Sequence, residues 1–393
     1  MKHASGNRNG QTVFDELDRP ADDDGKLHAE PDFAYLNRSG RAEMTDARAL
    51  VEEWFARYPP DHQSQLRSRL RGDDIAFDSA FFELYLHELL LALGHIATVE
   101  PPAGTKGKAP DFLAESRGAA SFYLEACVVS AKSKDEVAAE RRANQVYDQL
   151  DKLVSPDFFI GVEVREHPKS PPPGQAIRRF LAQQIEDASW EQVNAAIDRR
   201  GLEAAPRWHF SDQSWTVDFF PIPKNADERG KPETRPVGLW FYDARTLSDV
   251  DDIRAAVVRK AGKYGDLRAP FVVAVNLLSG FSDENIVLKS LLGRTRYTIP
   301  RPDKGITGGW DRAPDGVWTP PRGPRYTRLS GVLVVHHARP WSVRTSKLWY
   351  CPNPWAATPF PEPSPRLPRL AIQDQTYVRV EGDSPDVLFG LAP

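Results

Sequence analysis

The sequence predicts an α/β protein. Three observations carry that expectation: a helical period running through "FDSAFFELYLHELLLALG" (residues 77–94), three strand-like runs close behind it, and a return to helix and then strand. With 393 residues the chain can form one large or two ordinary domains around a sizeable core.

Taken in order, residues 1–44 hold few apolar positions and include "RPADDDGK", so they read as mostly disordered or loosely attached. Thr45 is placed to cap a helix over "DARALVEEWFARY", whose Leu50, Val51, Trp54 and Phe55 share a face. A short helix, "HQSQLRSRLR", follows the break at Pro59-Pro60. In the long helix Phe77, Phe81, Leu84, Leu89 and Leu93 recur at helical spacing, and Gly94 is placed to end it. Strands are expected at "HIATVE", "PDFLAE" and "ASFYLEACVVS", then a charged helix, "KDEVAAERRANQVYDQLDKL", and a strand, "DFFIGVEV". Residues 45–165 thus read as a helical lead-in followed by helix, three strands, helix, strand.

Beyond the linker "EHPKSPPPGQ", residues 166–351 read as a large α/β extension. Helices are expected at "AIRRFLAQQIED", at "SWEQVNAAIDRR" with Ser189 and Gln192 at capping-box spacing, and at "DVDDIRAAVVRKAGKYG". Strands are expected at "SWTVDFFPI", "VGLWFYDA", "PFVVAVNLL" and "SGVLVVHHA"; residues 352–393 read as a proline-rich tail. The unit around "AAVVRKAGKYG" and "PFVVAVN" is expected to extend the sheet or form a second α/β layer, with Lys260 and Lys263 available to a ligand.

Composition narrows the function classes. Cys127 and Cys351 are the only cysteines, too few for a disulfide framework and without zinc-site spacing. The net charge of -4 excludes a polycation built to coat nucleic acid, so such contact must come from local patches. No apolar run suggests a membrane span, and "MKHASGNRNGQ" offers no signal peptide, so the cytoplasm is the expected location. Nucleotide-binding glycine loops, a G-x-S-x-G elbow and an H-E-x-x-H pair are all missing from the sequence.

Three carboxylates stand where a purely structural element would prefer something else. Glu83 interrupts an apolar helix, Asp111 opens a strand directly after Pro110, and Glu125 sits mid-strand between Leu124 and Ala126. Buried carboxylates are rare unless paired or metal-bound, and hard oxygen donors suit Mg²⁺ or Mn²⁺. Singly, Glu83 also reads as a solvated helix position and Asp111 as a turn residue; Glu125 is hardest to explain that way. His87, one turn after Glu83, reads as a structural histidine. The His336-His337 pair would point to opposite strand faces, which argues against a shared metal.

The run Glu83, Pro110-Asp111, Glu125-Ala126-Cys127, set in a helix and three strands with a helix behind, resembles the PD-(D/E)XK nuclease superfamily over residues 75–165. The resemblance implies a restriction-endonuclease-like core, metal binding by Asp111 and Glu125 with Glu83 bound directly or through water, and phosphodiester hydrolysis. Cys127 stands where that superfamily has its motif lysine; a strand period of two puts it on the same face as Glu125. A thiol brings no positive charge, and by itself Cys127 reads as a small buried hydrophobe. Lys106, Lys108, Lys132 and Lys134 are the nearest replacements in sequence, none at a compelling spacing. On the following helix Gln145 is expected to line the cleft and Arg141 or Arg142 to touch phosphate, while Tyr147 is wrongly spaced from Gln145 to match relatives that use a glutamine and tyrosine there.

Residues 294–328 carry eight cationic against three acidic side chains, interleaved with Tyr297, Trp310, Trp318 and Tyr326. Such a loop suits phosphate contact and base stacking, with Arg294, Arg296 and Arg325 as contacts; the plain alternative is a solvated loop whose aromatics fold back on the domain. The expectation is therefore a Mg²⁺- or Mn²⁺-dependent nuclease acting on DNA rather than RNA, in defence or repair, with a protein partner or homodimer compatible with it. The alternative is a nuclease-fold protein that has lost catalysis and binds nucleic acid or acts as a scaffold. A lysine within reach of Asp111 and Glu125 would favour the first.

Overall fold

The computed structural model describes residues 12–21, 25–103, 107–116, 119–129, 134–164, 169–212, 215–225, 227–231, 237–241, 249–278, 284–299, 303, 309–319, 322–360, 364–373 and 376–391. The chain divides into two compact units: residues 1–24, 32–131 and 247–393 form the first, and 25–31 with 132–246 the second. The architecture is mixed α/β, with a large mixed sheet in the first unit.

The first unit opens with helices α1 (Asp32–Arg38), α2 (Ala42–Arg57), α3 (Pro60–Leu70) and α4 (Asp74–Ala92). The segment expected to be loosely attached is folded over its described residues, 12–21 and 25–44. Four of its apolar side chains, Val13, Phe14, Phe33 and Leu36, are buried, the Phe14 and Phe33 rings stack at 5.6 Å, and Glu52 Oε1 accepts the backbone N–H groups of Val13 and Phe14. A low apolar count did not mean an unanchored chain, because these four residues converge on one core. Helix α2 starts three residues before the expected Thr45 cap, so Thr45 instead donates back to the Arg41 carbonyl. In α4, Asp73 caps the N-terminus by accepting from Ala76 N. Gly94, with φ +83°, closes its C-terminus while the N–H of His95 returns to the Leu90 carbonyl. Strands β1 (Ile96–Val99), β2 (Phe112–Ser116) and β3 (Ala119–Val129) then form an antiparallel set.

The second unit contains α5 (Lys134–Leu150), β4 (Phe158–Val164), α6 (Gly174–Asp187), α7 (Trp190–Arg200), β5 (Trp208–Ser211), β6 (Thr216–Pro223) and β7 (Val237–Phe241). Ser189 caps α7 as its spacing predicts, accepting from Gln192 N. The four strands form their own sheet in the order β5-β6-β4-β7. The strand expected to complete the first three, "DFFIGVEV", is β4, and it lies in this second sheet between β6 and β7.

The first unit resumes with α8 (Asp249–Ala261), β8 (Phe271–Leu277), α9 (Glu284–Leu292), the hairpin strands β9 (Thr295–Thr298) and β10 (Gly309–Arg312), β11 (Gly331–His336), β12 (Lys347–Pro352), β13 (Arg369–Gln373), β14 (Thr376–Val380) and α10 (Pro385–Leu388). Its main sheet has eight strands in the order β1-β2-β3-β8-β11-β12-β13-β14, and β8 runs parallel to both β3 and β11. Every residue of β8 is buried, since Val272 and Ala274 pack with α1–α4 on one face while Val273 and Val275 pack with α8 and α9 on the other. That is why "PFVVAVNLL" is a continuous apolar run instead of an alternating one. The proline-rich tail is also folded. Leu367, Leu370 and Leu388 are buried, Pro354, Pro359, Pro365 and Pro368 precede the strand β13 instead of interrupting its ladder, and Pro385 opens α10.

Candidate active site

The site is assembled where β2 ends beside β3. In the antiparallel register Phe112 faces Leu124, so the partner of Ala126 would be Pro110, which lies outside β2. The Ala126 N–H consequently lacks a backbone acceptor from that strand, and the Asp111 carboxylate supplies one, with Oδ2 2.6 Å from Ala126 N. The Glu100 N–H holds the Asp111 carbonyl at 3.0 Å, fixing the residue from the β1 side. Asp111 is thus placed by the same strand ending that the Pro-Asp pair creates.

Glu125 is fully buried on the face of β3 covered by α8, with Val273 of β8 beside it. Its ionisation is matched by side chains from the last turn of α8 and the residues just beyond. Lys260 Nζ donates to Oε1 at 2.6 Å, Lys263 Nζ to the same oxygen at 2.9 Å, and the Tyr264 hydroxyl donates to Oε2. Cys127 shares this face, as the strand period predicts, and its Sγ lies 3.6 Å from Nη2 of Arg259. The Cys127 thiol therefore sits beside a guanidinium, while ammonium groups reach Glu125 from the last turn of α8 and from just beyond it.

Glu83 is neither solvated nor loosely held. Its Oε1 accepts from the buried Tyr58 hydroxyl at 2.6 Å, and its Oε2 from Arg69 Nη2 at 2.6 Å. His87 is structural, as expected: it is buried, with Nδ1 3.2 Å from Glu88, which in turn pairs with Arg57.

The electrostatics link these groups. Burial raises the Asp111 pKa, and the negative charges of Glu125 and Glu83 raise it further, against the pull of the Ala126 N–H and Lys260; the result is about 7. Burial alone would raise Glu125 too, but the Lys260 charge and the hydrogen bonds from Lys260, Tyr264 and Lys263 bring it below the ordinary value. Lys260 loses hydration on burial, yet its interactions with Glu125 and Asp111 hold its pKa above normal. One carboxylate is thereby kept ionised and its neighbour kept near the point of titration.

Gln145, Arg141 and Arg142 are on α5 of the second unit. Lys108 is exposed, and Lys106, Lys132, Arg301 and Lys304 fall outside the described residues. In the basic segment, Arg294 pairs with Asp315 at 2.7 Å and Arg296 grips Asp311 at 2.8 and 2.9 Å, while Arg325 lies over the Tyr326 ring. Trp318 is buried and Tyr297 exposed, so only part of the aromatic set folds back on the domain.

The residues that complete the cluster, Lys260, Lys263 and Tyr264, are far from Glu125 in sequence. Their signal was two lysines at i, i+3 with a tyrosine at i+4, shortly before a continuous apolar strand. Among the described residues no group of three or more His, Cys, Asp or Glu is arranged to hold a metal ion, since Glu83 and Glu125 are turned onto cations and hydroxyls. No helix among the described residues is long and apolar enough to cross a membrane. No protein-family model, curated protein or solved structure matches this chain.

Proposed function

We propose that this chain is a divalent-metal-dependent nuclease hydrolysing DNA phosphodiester bonds, with a restriction-endonuclease-like core made of α4, β1, β2, β3, α8 and β8. The observation that carries the reading is the Lys260 ammonium 2.6 Å from Glu125, in a cluster whose second carboxylate is Asp111. It gives the site the cation that Cys127 cannot.

The donor chemistry fits Mg²⁺ or Mn²⁺. Asp111 Oδ1 makes no hydrogen bond among the described residues, and burial first, then the negative charges of Glu125 and Glu83, disfavour its ionised form, a cost that a divalent cation would offset. Asp111, together with Glu125 once it is released from Lys260, Lys263 or Tyr264, would hold the ion, which when bound would polarise the scissile phosphate and acidify a water. Lys260 keeps Glu125 ionised and has further N–H donors for a phosphate oxygen. Arg259, beside Cys127, adds a permanent charge on the same face. Glu83, clamped by Tyr58 and Arg69, adds to the negative potential that Glu125 imposes on Asp111.

The test is cleavage of plasmid, linear duplex, single-stranded DNA and RNA in Mg²⁺ or Mn²⁺, comparing wild type with Asp111→Ala and Glu125→Ala. Loss of cutting in both variants is expected. A second reading, a binding module without catalysis, is favoured by the closure of both Glu125 oxygens on Lys260, Lys263 and Tyr264. Wild type that neither cuts nor binds metal by calorimetry would decide for it.

A further inference from the structure

Tyr264 does more than hold Glu125, because it also borders a cavity of about 250 Å³ that Leu267, Phe271, Asp266, Arg328 and Thr358 help to line. The inner end of this cavity is aromatic: Tyr264 and Phe271 are both buried and meet edge to face, centroids 5.6 Å apart at 83°. Its rim is polar, formed by the exposed ion pair of Arg328 with Asp266 at 3.1 Å. One buried residue fixes the walls. Ser330 donates its hydroxyl to the Thr358 carbonyl at 2.6 Å, accepts from Phe271 N at 2.8 Å, and sends its own N–H to the Phe271 carbonyl at 2.7 Å. Such a cavity does not have to be organised when a ligand arrives.

The size and lining select a class of ligand. The volume is below the roughly 300–1,000 Å³ of drug-sized sites, which suits one planar heterocycle. An aromatic inner end with a guanidinium donor and a carboxylate acceptor at the mouth matches a nucleobase, whose faces are apolar and whose edge carries both donors and acceptors. Because the Tyr264 hydroxyl contacts Glu125, the cavity and the carboxylate cluster share a wall.

Resting on the nuclease reading, we propose that this cavity receives the base of the nucleotide adjoining the scissile phosphate, so that the site acts on single-stranded nucleic acid. A base stacked and paired in a duplex has neither its faces nor its Watson–Crick edge free to enter; an unpaired one has both.

The experiment titrates the full chain, in EDTA, into single-stranded and duplex oligonucleotides carrying 2-aminopurine, whose fluorescence reports the stacking of that base. Wild type is expected to bind the single strand more tightly and change its fluorescence, with Ala357→Trp, which adds bulk to the cavity's lining, and Arg328→Glu, which inverts the charge at its rim, each weakening binding about tenfold. Equal or tighter binding of duplex, or unchanged binding by a folded Ala357→Trp or by Arg328→Glu, overturns the proposal. Arg328 is exposed, so its variant decides the matter if the tryptophan variant does not fold. Cleavage is read separately in Mg²⁺. Wild type that binds as expected but cuts nothing defeats the nuclease reading and leaves the base site standing, whereas cutting and binding that both survive the cavity variants remove the base site alone.

Discussion

Lys260 lies 135 residues beyond Glu125 in the chain, yet its ammonium is 2.6 Å from the Glu125 carboxylate. Removing it leaves a fully buried carboxylate with only Lys263 and Tyr264 to compensate. Lys260→Ala is expected to cost about 3 kcal/mol in urea denaturation, the scale for breaking a buried pair from one side. Its loss in metal-dependent cleavage should be about a hundredfold or more, the scale for removing one preorganised electrostatic donor. Lys260→Arg, which keeps the charge, should recover most of the stability and less of the rate, because a planar guanidinium cannot reproduce the ammonium geometry.

The pH dependence follows from Asp111. An ordinary aspartate titrates near 3.8, and this one near 7, because burial and then the Glu125 charge disfavour its ionised form. Between those values the folded state holds a proton that the unfolded state has lost, so this residue's contribution to stability falls as pH rises through the window. Asp111→Asn should therefore melt above wild type at pH 8, with the gap closing toward pH 4. Mg²⁺, which favours the ionised carboxylate, should raise the wild-type melting temperature more at pH 8 than at pH 6 and should lose that effect in Asp111→Asn. An Asp111→Asn gap that does not change with pH would contradict the raised pKa.

Glu83 provides a check on the other side of Asp111. The Tyr58 hydroxyl, itself buried, is one of its two donors. Tyr58→Phe removes that donor without opening a cavity and should cost about 1–3 kcal/mol, as expected for a hydrogen bond to a charged group. A loss below a few tenths of a kcal/mol in the denaturation midpoint would mean that Arg69 alone holds Glu83.

The hairpin β9–β10 yields a less obvious expectation. Arg296 is already gripped by Asp311 through two hydrogen bonds, so its charge is largely compensated. If the hairpin meets nucleic acid, Asp311→Asn should tighten binding and steepen the dependence on salt by about one phosphate contact. Fluorescence anisotropy at several salt concentrations measures both, and unchanged affinity and slope would take the hairpin out of the interface.

Much of this arrangement could be read from the sequence, and the part that could not has a physical cause. The helix α4 and the strands β1 to β3 follow their apolar periods, and Asp111 and the mid-strand Glu125 stand on the neighbouring strand segments their sequence positions predict. What periodicity could not show was which helix and strand come next to β3. Both α5 with β4 and α8 with β8 look locally correct, since neither pattern records what it pairs with. The discriminating feature was burial on two faces. β8 is apolar at six of its seven positions, as a central parallel strand must be, and its one polar side chain, Asn276, has its amide satisfied by both the N–H and the carbonyl of Ala338. By contrast, β4 carries a charged Glu163 that pairs with Arg207 near the surface. Once β8 is taken as the neighbour of β3, the lysines ahead of it fall on Glu125.

The N-terminal segment was misjudged for a related reason, and that can be tested. Composition averages over a stretch, whereas anchoring depends on individual residues. Phe14 is buried against Phe33, while Leu17, three residues on, is exposed. Phe14→Ala should therefore lower stability by about 3–5 kcal/mol, the range for deleting a buried phenylalanine, and Leu17→Ala should stay within about 0.5 kcal/mol of wild type. Chemical denaturation of the two variants decides it: a Phe14→Ala protein as stable as wild type would mean that residues 12–21 are dispensable to the core.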